Sequence, residues 1–413
     1  MLDAGETHQA DLRSGRSPWF SGPPRPPSRE VEADMRCDVA IVGGGITGAL
    51  LAEHLTARGL DVVLVDRERE GYGSTLASTA MLQWEIDQPL ARLAMLNGFE
   101  RAADVYRRSF KAVEGLVGLV ADLGIGAAFF PRDTVYLAAG EVGPRDLAEE
   151  HALRARAGLP GALLGHADLL GAYGFDRAAA IVSPGSAEAD PLSLCHALLG
   201  VAGARGARLV RDEVVSYDCT ARSAMVGLAG GRSIEAGHVV LATGYVMPEG
   251  LASGLHEVAA SWAIATEPQP EPVLWRGRAL VWEASEDYVY MRTTTDGRIV
   301  FGGEDESIED PDLRERLEPD KAQALLAKLR ALLPEASTGL GHVWSGAFGT
   351  TVDGLPLIGR LPGRPRLLAA YGYGGNGITF SFLASRVIGA LIAGEEAGWF
   401  RHFALDRPDP TQV

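Results

Sequence analysis

Residues 37–66 read "CDVAIVGGGITGALLAEHLTARGLDVVLVD". "DVAIV" is a short apolar, β-branched run, which predicts a strand. Gly43, Gly45 and Gly48 follow it at once in a G-x-G-x-x-G frame. "ALLAEHLTARG" has helical apolar spacing and stops at Gly59. "DVVLV" predicts a second strand, closed by Asp66. Gly43 allows the tight turn, Gly45 lets a pyrophosphate approach the backbone, and Gly48 lets the helix pack closely on the strand. The helix N-terminus offers N–H groups and a positive dipole end to phosphates. An acid about 20 residues on holds ribose hydroxyls, the place taken by Asp66. Strand, helix, second strand and acid stand in register, so the stretch predicts a dinucleotide site rather than a ligand-free turn.

Two features favour FAD over NAD. "GYGSTLASTAMLQ" at 71–83 is rich in Gly, Ser, Thr and Ala, so backbone and hydroxyls can approach a bulky ligand. "GHVVLATGY" at 237–245 is an apolar strand with a small-residue tip, as a sheet strand beside a large cofactor needs. The glycine frame recurs in "AAYGYGGNGITF" at 369–380, through Gly372, Gly374 and Gly377. A second complete nucleotide unit needs another strand ending in an acid. The window after Gly377 falls on Glu395 and Glu396, which end a helix-like run, and too little chain remains for another βα unit. The second turn is therefore expected to serve the flavin ring of the same FAD. Its helix N-terminus would stabilise negative charge on the reduced ring.

The remaining chain bounds the answer. Its 413 residues suit two domains, or one with a second inserted. A net charge of −16 argues against nucleic acid and fits a cationic substrate weakly. Cys37, Cys195 and Cys219 are scattered without a C-x-x-C pair, which predicts no disulfide, no zinc ribbon and a reducing, cytoplasmic setting. No apolar run reaches the roughly 18 residues of a membrane span. The first thirty residues lack the apolar block of a secretory signal. "SGPPRPPSRE" reads as an extended lead-in, with Trp19 and Phe20 placed to pin it to the body. No H-E-x-x-H, P-loop or Ser-His-Asp set is present, and no metal site is expected.

The chain resembles the D-amino-acid-oxidase-like FAD-dependent oxidoreductases, nearest to the γ-glutamylputrescine oxidase and glycine oxidase branch. The resemblance rests on an ordered set. It runs from "SPWF" through "DVAIVGGGITG", "YGSTLASTAMLQ", "AEADPLSLCHALLGVAGARGARL", "VVLATGY", "TTDGRIVFGGEDE" and "WSGAFGTTVDGLPLIG" to "YGYGGNGITF". It implies an α/β fold, in which a Rossmann-like FAD-binding domain is interleaved with an α+β substrate domain built on an antiparallel sheet. The FAD part would span about 36–88, 189–255 and 336–405, and the substrate part about 89–188 and 256–335, behind an extended arm at 1–35. The coarse reading agrees. "VYRRSFKAVEGLVGLVADLG" and "DKAQALLAKLRALLP" have helical spacing, and "SWAIATEP", "ALVWEA", "YVYMR" and "RIVFGGE" read as successive antiparallel strands, with Asp-Gly at a hairpin tip in "TTTDG".

Carried over residue by residue, the resemblance implies that Gly43, Gly45, Ile46 and Thr47 wrap the pyrophosphate and Asp66 binds the ribose. Ser74, Thr75 and Thr79 would line the flavin side. Val214 would meet adenine through its backbone, and Thr243 and Gly244 would pass close to the cofactor. Gly374, Gly375, Asn376, Gly377 and Ile378 would cap the isoalloxazine. Relatives that attach FAD covalently use a His beside the G-S motif, where this chain has Leu76 and Ala77, or a Cys in a segment that here reads "WSGAFGTT". Non-covalent FAD is therefore expected. Sarcosine-oxidase-like relatives use a lysine near the ring for oxygen chemistry, whereas only Lys111, Lys321 and Lys328 occur here, all in surface-like helical stretches. Oxygen or another acceptor both stay open.

Five residues are substrate candidates: Glu85, Tyr290, Arg292, Phe348 and Tyr373. Glu85 could hold a cationic amine. Tyr288, Tyr290 and Arg292 alternate along "YVYMR" and so share a face. Amino-acid-oxidising relatives place an arginine where this chain has Phe348, and some place another at Gly375. The leading expectation is hydride transfer from an amine or amino acid to flavin N5, with the imine hydrolysed afterwards; no catalytic base is assigned. The alternatives are a hydroxy-compound dehydrogenase and a flavin subunit passing electrons to a protein partner. His256, His342 and Trp84 are expected to be structural.

Overall fold

The computed structural model describes residues 2–3, 12–21, 28–248 and 253–409. Most of the Pro-rich lead-in and the side chain of Phe20 lie outside these residues. Trp19 is buried, and its indole N–H donates to Ser78 O at 2.8 Å. The described part of the arm is not simply extended. Arg13–Gly15 pairs with Leu340–Thr351, and Pro18–Ser21 turns in a short 3₁₀ helix.

The opening stretch folds as its pattern predicts. Met35–Val42 is a strand, Ile46–Ala57 a helix and Val62–Asp66 a second, parallel strand. Five parallel strands lie side by side in the order 208–211, 62–66, 35–42, 233–241 and 364–371. Short antiparallel strands complete a sheet of nine among the described residues. Helices 46–57, 191–204 and 377–392 cover one face, and the long helix Phe99–Leu123 packs outside the last of them. Ile41, Leu50, Leu64, Leu198 and Ile388 are fully buried in that layer.

The second sheet has ten strands among the described residues, mostly antiparallel. Its central order is 340–351, 256–266, 299–306, 289–293, 280–284, 130–138 and 179–188. The strands 256–266 and 280–284 are thus not neighbours, as a simple meander would have made them. The hairpin between 289–293 and 299–306 turns at Thr294 to Gly297. Helix Pro311–Leu332 backs this sheet and buries Leu325 and Leu329 against Ile264 and Phe301. Strand 340–351 is hydrogen bonded along its length to 256–266, and the chain returns to the first sheet only at Leu357. Among the described residues no helix is long and apolar enough to cross a membrane, and no group of three or more His, Cys, Asp or Glu could hold a metal.

Candidate active site

A cavity walled by both sheets holds about 2080 Å³ of space free of protein atoms, its open mouth included. It starts at the C-terminal ends of the parallel strands, where ligands of doubly wound sheets bind. Gly43, Gly45, Ile46 and Thr47 line it there, with Asp66 beside them and Val214 beyond. The turn is sterically tight. A Cβ on Gly43, whose φ is +108°, would lie 2.3 Å from Ala242 O, and one on Gly48 would lie 1.9 Å from Gly43 O. Gly45 is less confined, its Cβ meeting only Thr75 Oγ1 at 3.1 Å. The Asp66 carboxylate is gripped at both oxygens: Gly44 N–H donates at 2.6 Å and Glu68 N–H at 2.8 Å. Burial raises its carboxyl above the ordinary range, and these two amides pull it back.

The wall continues through Ser74, Thr75, Thr79, Thr243 and Gly244. Thr75 Oγ1 accepts from Ile46 N–H at 2.9 Å, so it braces the first turn rather than standing free. Ser74 Oγ is buried without a hydrogen-bond partner. That orphaned hydroxyl, the N-terminus of helix 46–57, whose N-cap Gly45 has no side chain to cap it, and the extent of the cavity fit an FAD molecule.

At the far end the second glycine turn supplies Tyr373, Gly374, Gly375, Gly377 and Ile378. Asn376, expected beside them, does not line the cavity. Its side chain donates to Glu85 O at 2.7 Å and Gln83 O at 3.4 Å, and Thr379 Oγ1 donates to Gln83 O at 2.8 Å. The start of helix 377–392 thereby clamps the 83–85 loop.

Tyr288, Tyr290, Trp282 and Phe348 of the second sheet face this end, with Tyr245 from the first. Gly302 makes room for Tyr290: a Cβ there would sit 2.5 Å from the phenol oxygen. Tyr290 OH and Ser261 Oγ are 3.2 Å apart. Two carboxylates join them, and neither was foreseen from sequence. Asp87 accepts from Gly375 N–H at 2.6 Å and is open to the cavity. Its accessible surface opens into the cavity, with the protein wall close around it. That enclosure pushes its carboxyl from 3.8 up to about 6, which the Gly375 amide opposes and Asp305 reinforces. Asp305 accepts from Tyr288 OH at 2.6 Å.

Two candidates are turned away from the cavity. Glu85 is buried against Arg154 at 3.6 Å and accepts from Thr134 Oγ1, so its charge serves the core. Arg292 shares a strand face with Tyr290 but lies farther along it. It donates to Thr79 O at 2.5 Å and Ala189 O at 2.7 Å, pairs with Glu188 at 3.4 Å, and stacks 4.7 Å above Trp19. His256 and His342 are also outside the cavity wall. Burial lowers the His256 imidazole to about 4. Trp84 is fully buried, its indole N–H on Pro184 O at 2.9 Å. Lys111 is exposed on helix 99–123, while Lys321 and Lys328 are both ion-paired to Glu304, at 3.3 and 2.6 Å.

The profile of the family DAO, described as FAD dependent oxidoreductase, matches residues 38–391. The chain is similar to a glycine oxidase of Bacillus licheniformis, 26% identical over 91% of this chain and 98% of that one. It is also similar to the gamma-glutamylputrescine oxidoreductase of Escherichia coli K12, 24% identical over 89% and 86% respectively. The crystal structure of glycine oxidase from Geobacillus kaustophilus shares the fold, with a TM-score of 0.76 at 23% identity, over 91% of this chain and all of that one.

Proposed function

The chain belongs to the DAO family of FAD-dependent oxidoreductases, and from that premise we propose that it oxidises the C–N bond of a cationic amine with no carboxylate beside the reacting carbon. The observation that carries this reading is the charge of the chamber. Asp87 and Asp305 face it among tyrosines, whereas the arginines among the described residues that border the cavity, Arg67 and Arg69, stand next to Asp66 at its other end. A guanidinium is the group that grips an α-carboxylate bidentately. A carboxylate set against Phe348 and near Asp87 would remain unpaired, at a cost of roughly several kcal/mol. The curated relatives are named for glycine and for gamma-glutamylputrescine. Between an amino acid and an amine, the acidic chamber favours the amine.

Gly43, Gly45, Ile46 and Thr47 would hold the pyrophosphate, Asp66 the ribose, Val214 the adenine, and Gly374, Gly375, Gly377 and Ile378 the ring. No His or Cys is among the described residues lining the cavity, in keeping with non-covalent FAD. Bound there, FAD supplies a hydride acceptor at N5. The chain's own residues do the rest. Asp87 draws in the ammonium and takes its proton, freeing the nitrogen lone pair to form the C=N bond as the hydride leaves the carbon. An alkylammonium resembles lysine, with a pKa of about 10.4, so a carboxylate beside it is a weak base that works by placement and desolvation. The tyrosines and Trp282 orient the chain of the amine and exclude water until the imine has formed. Water then converts the imine to a carbonyl and releases ammonia.

The test is anaerobic bleaching of the bound flavin by an alkylamine, its α-carboxylated counterpart and a 2-hydroxy acid. The amine should lead the amino acid by at least about tenfold in kcat/KM. A faster amino acid or hydroxy acid would overturn the reading.

A further inference from the structure

Strand 299–306 breaks its alternation where it reaches the chamber. Trp262 pairs with Gly303 and Ala260 with Glu306, so Glu304 and Asp305 together oppose Ser261 in a β-bulge. Gly302 faces the chamber under Tyr290. Regular alternation would then turn Asp305 to the opposite face. The bulge inverts this and delivers Asp305 to the chamber, while Glu304 pairs with Lys321 and Lys328 on helix 311–332. Glu304 adopts φ +60°, a left-handed conformation that costs a non-glycine residue energy. Bulges of this kind re-aim side chains beside active sites.

The re-aimed carboxylate is incompletely satisfied. Tyr288 OH donates to one oxygen, the Ser261 hydroxyl and the Lys321 charge lend the carboxylate weaker support, and Oδ1 has no partner at full hydrogen-bond geometry. No ion pair to Asp305 occurs among the described residues. Lys321, the nearest cation, contacts Glu304 at 3.3 Å and also pairs with Glu306. If Asp305 served only to fix the Tyr288 hydroxyl, a neutral acceptor would do so without a buried charge or a strained neighbour. Asp87 and Asp305 enter one chamber from different walls: Asp87 accepts from Gly375 N–H at the second glycine turn, and Asp305, on the second sheet, accepts from Tyr288 OH. The rings of Tyr288 and Tyr290 lie 6.0 Å apart in the same chamber, and Trp282 adds a further aromatic face suited to cations.

We infer that the substrate is a dication, an α,ω-diamine or polyamine, whose distal ammonium is held by Asp305 and Tyr288 while the reacting amine lies at Asp87. The inference rests on the amine reading above and narrows it. The reaction consumes one C–N bond at the Asp87 end: two electrons and one hydrogen leave the carbon for FAD, and the nitrogen's proton passes to Asp87. The distal ammonium is unchanged and only anchors the molecule. Its length selects substrates by how far it places the reacting carbon from the anchor.

The holoenzyme is tested with 1,4-diaminobutane, longer α,ω-diamines and the monoamines of equal length. Flavin reduction is followed anaerobically, and binding is followed by the perturbed spectrum of oxidised flavin before reduction. One diamine should bind at least about tenfold tighter than its monoamine, the scale of one charge-assisted contact. Asp305→Asn keeps an acceptor for Tyr288 OH. It should erase that advantage, raising the diamine's KM at least about tenfold more than the monoamine's. Tyr288→Phe should lose part of it. An intact flavin spectrum and Tm in both variants separates these effects from misfolding. Equal binding of diamine and monoamine by the wild type, or an equal loss for both in Asp305→Asn, overturns this inference and leaves the amine reading standing. If neither class binds or bleaches the flavin, both fall.

Discussion

The two glycine turns are spelled alike and are built for different work. In the first, the third glycine is a steric necessity: a Cβ on Gly48 would lie 1.9 Å from Gly43 O. In the second, a Cβ on Gly377 would meet nothing within 4 Å. There the constraint sits one step earlier, at Gly374 and Gly375, where a Cβ would come within 2.2 and 2.9 Å of the Asp87 carboxylate. The first turn packs a helix against a strand so that phosphates can reach its end. The second brings one backbone N–H, that of Gly375, against a side chain from a distant loop. Identical spacing thus records only that the chain must turn tightly into a helix; the neighbours decide for what.

The largest expected effect breaks the likeness directly. Gly48→Ala should destabilise the protein by about 3 kcal/mol, with or without FAD, because backbone cannot yield to the new methyl. Gly377→Ala should leave the stability of the cofactor-free protein within about 1 kcal/mol. Chemical denaturation of both apo variants checks this; equal losses would mean that the turns are equivalent after all.

A smaller effect concerns the ring. Gly375→Asp sets a second carboxylate beside Asp87, where helix 377–392 presents its positive end. The flavin midpoint potential should fall by about 30 mV, a tenfold change for a two-electron couple, and reduction should slow accordingly. Saturable NAD(P)H binding that this variant abolishes would instead make the second turn a nucleotide site.

The smallest effect separates the acids of the two turns. Asp66 accepts two amides, Asp87 one. With its folded-state carboxyl raised from 3.8 to about 6, Asp87 keeps a proton that the unfolded chain has already released between those values. Stability therefore falls as pH rises through that window, and the cost persists above it. Apo Asp87→Asn should melt above the wild type at pH 7, with the gap closing by about pH 4. A gap independent of pH would show that Asp87 is not enclosed as described.

The same contrast explains what could be read from sequence. Gly43, Gly45 and Asp66 were legible because strand, turn, helix and acid are contiguous, and each local signal agrees with the next. The chamber joins distant segments. Glu85 and Asp87 stand two residues apart, yet only Asp87 reaches the cavity, because Arg154 claims Glu85 from another helix. Arg292 keeps the face predicted for it but is spent on Glu188 and two carbonyls. Asp305 was invisible because a bulge reverses the alternation on which strand reading depends.

The clamp of helix 377–392 on the 83–85 loop also orders events during synthesis. Asn376 and Glu85 are 291 residues apart, Gly375 and Asp87 are 288, and the Thr47–Ser381 hydroxyl contact spans 334. The ribosome makes the first turn roughly 300 residues before strand 364–371 and helix 377–392. A nascent chain therefore carries the phosphate-binding end of the site long before the ring-binding end exists. Contacts of such sequence separation are slow to close. FAD captured by the first turn would wait for helix 377–392, and a chain cut short of residue 364 would lack the wall that completes the chamber.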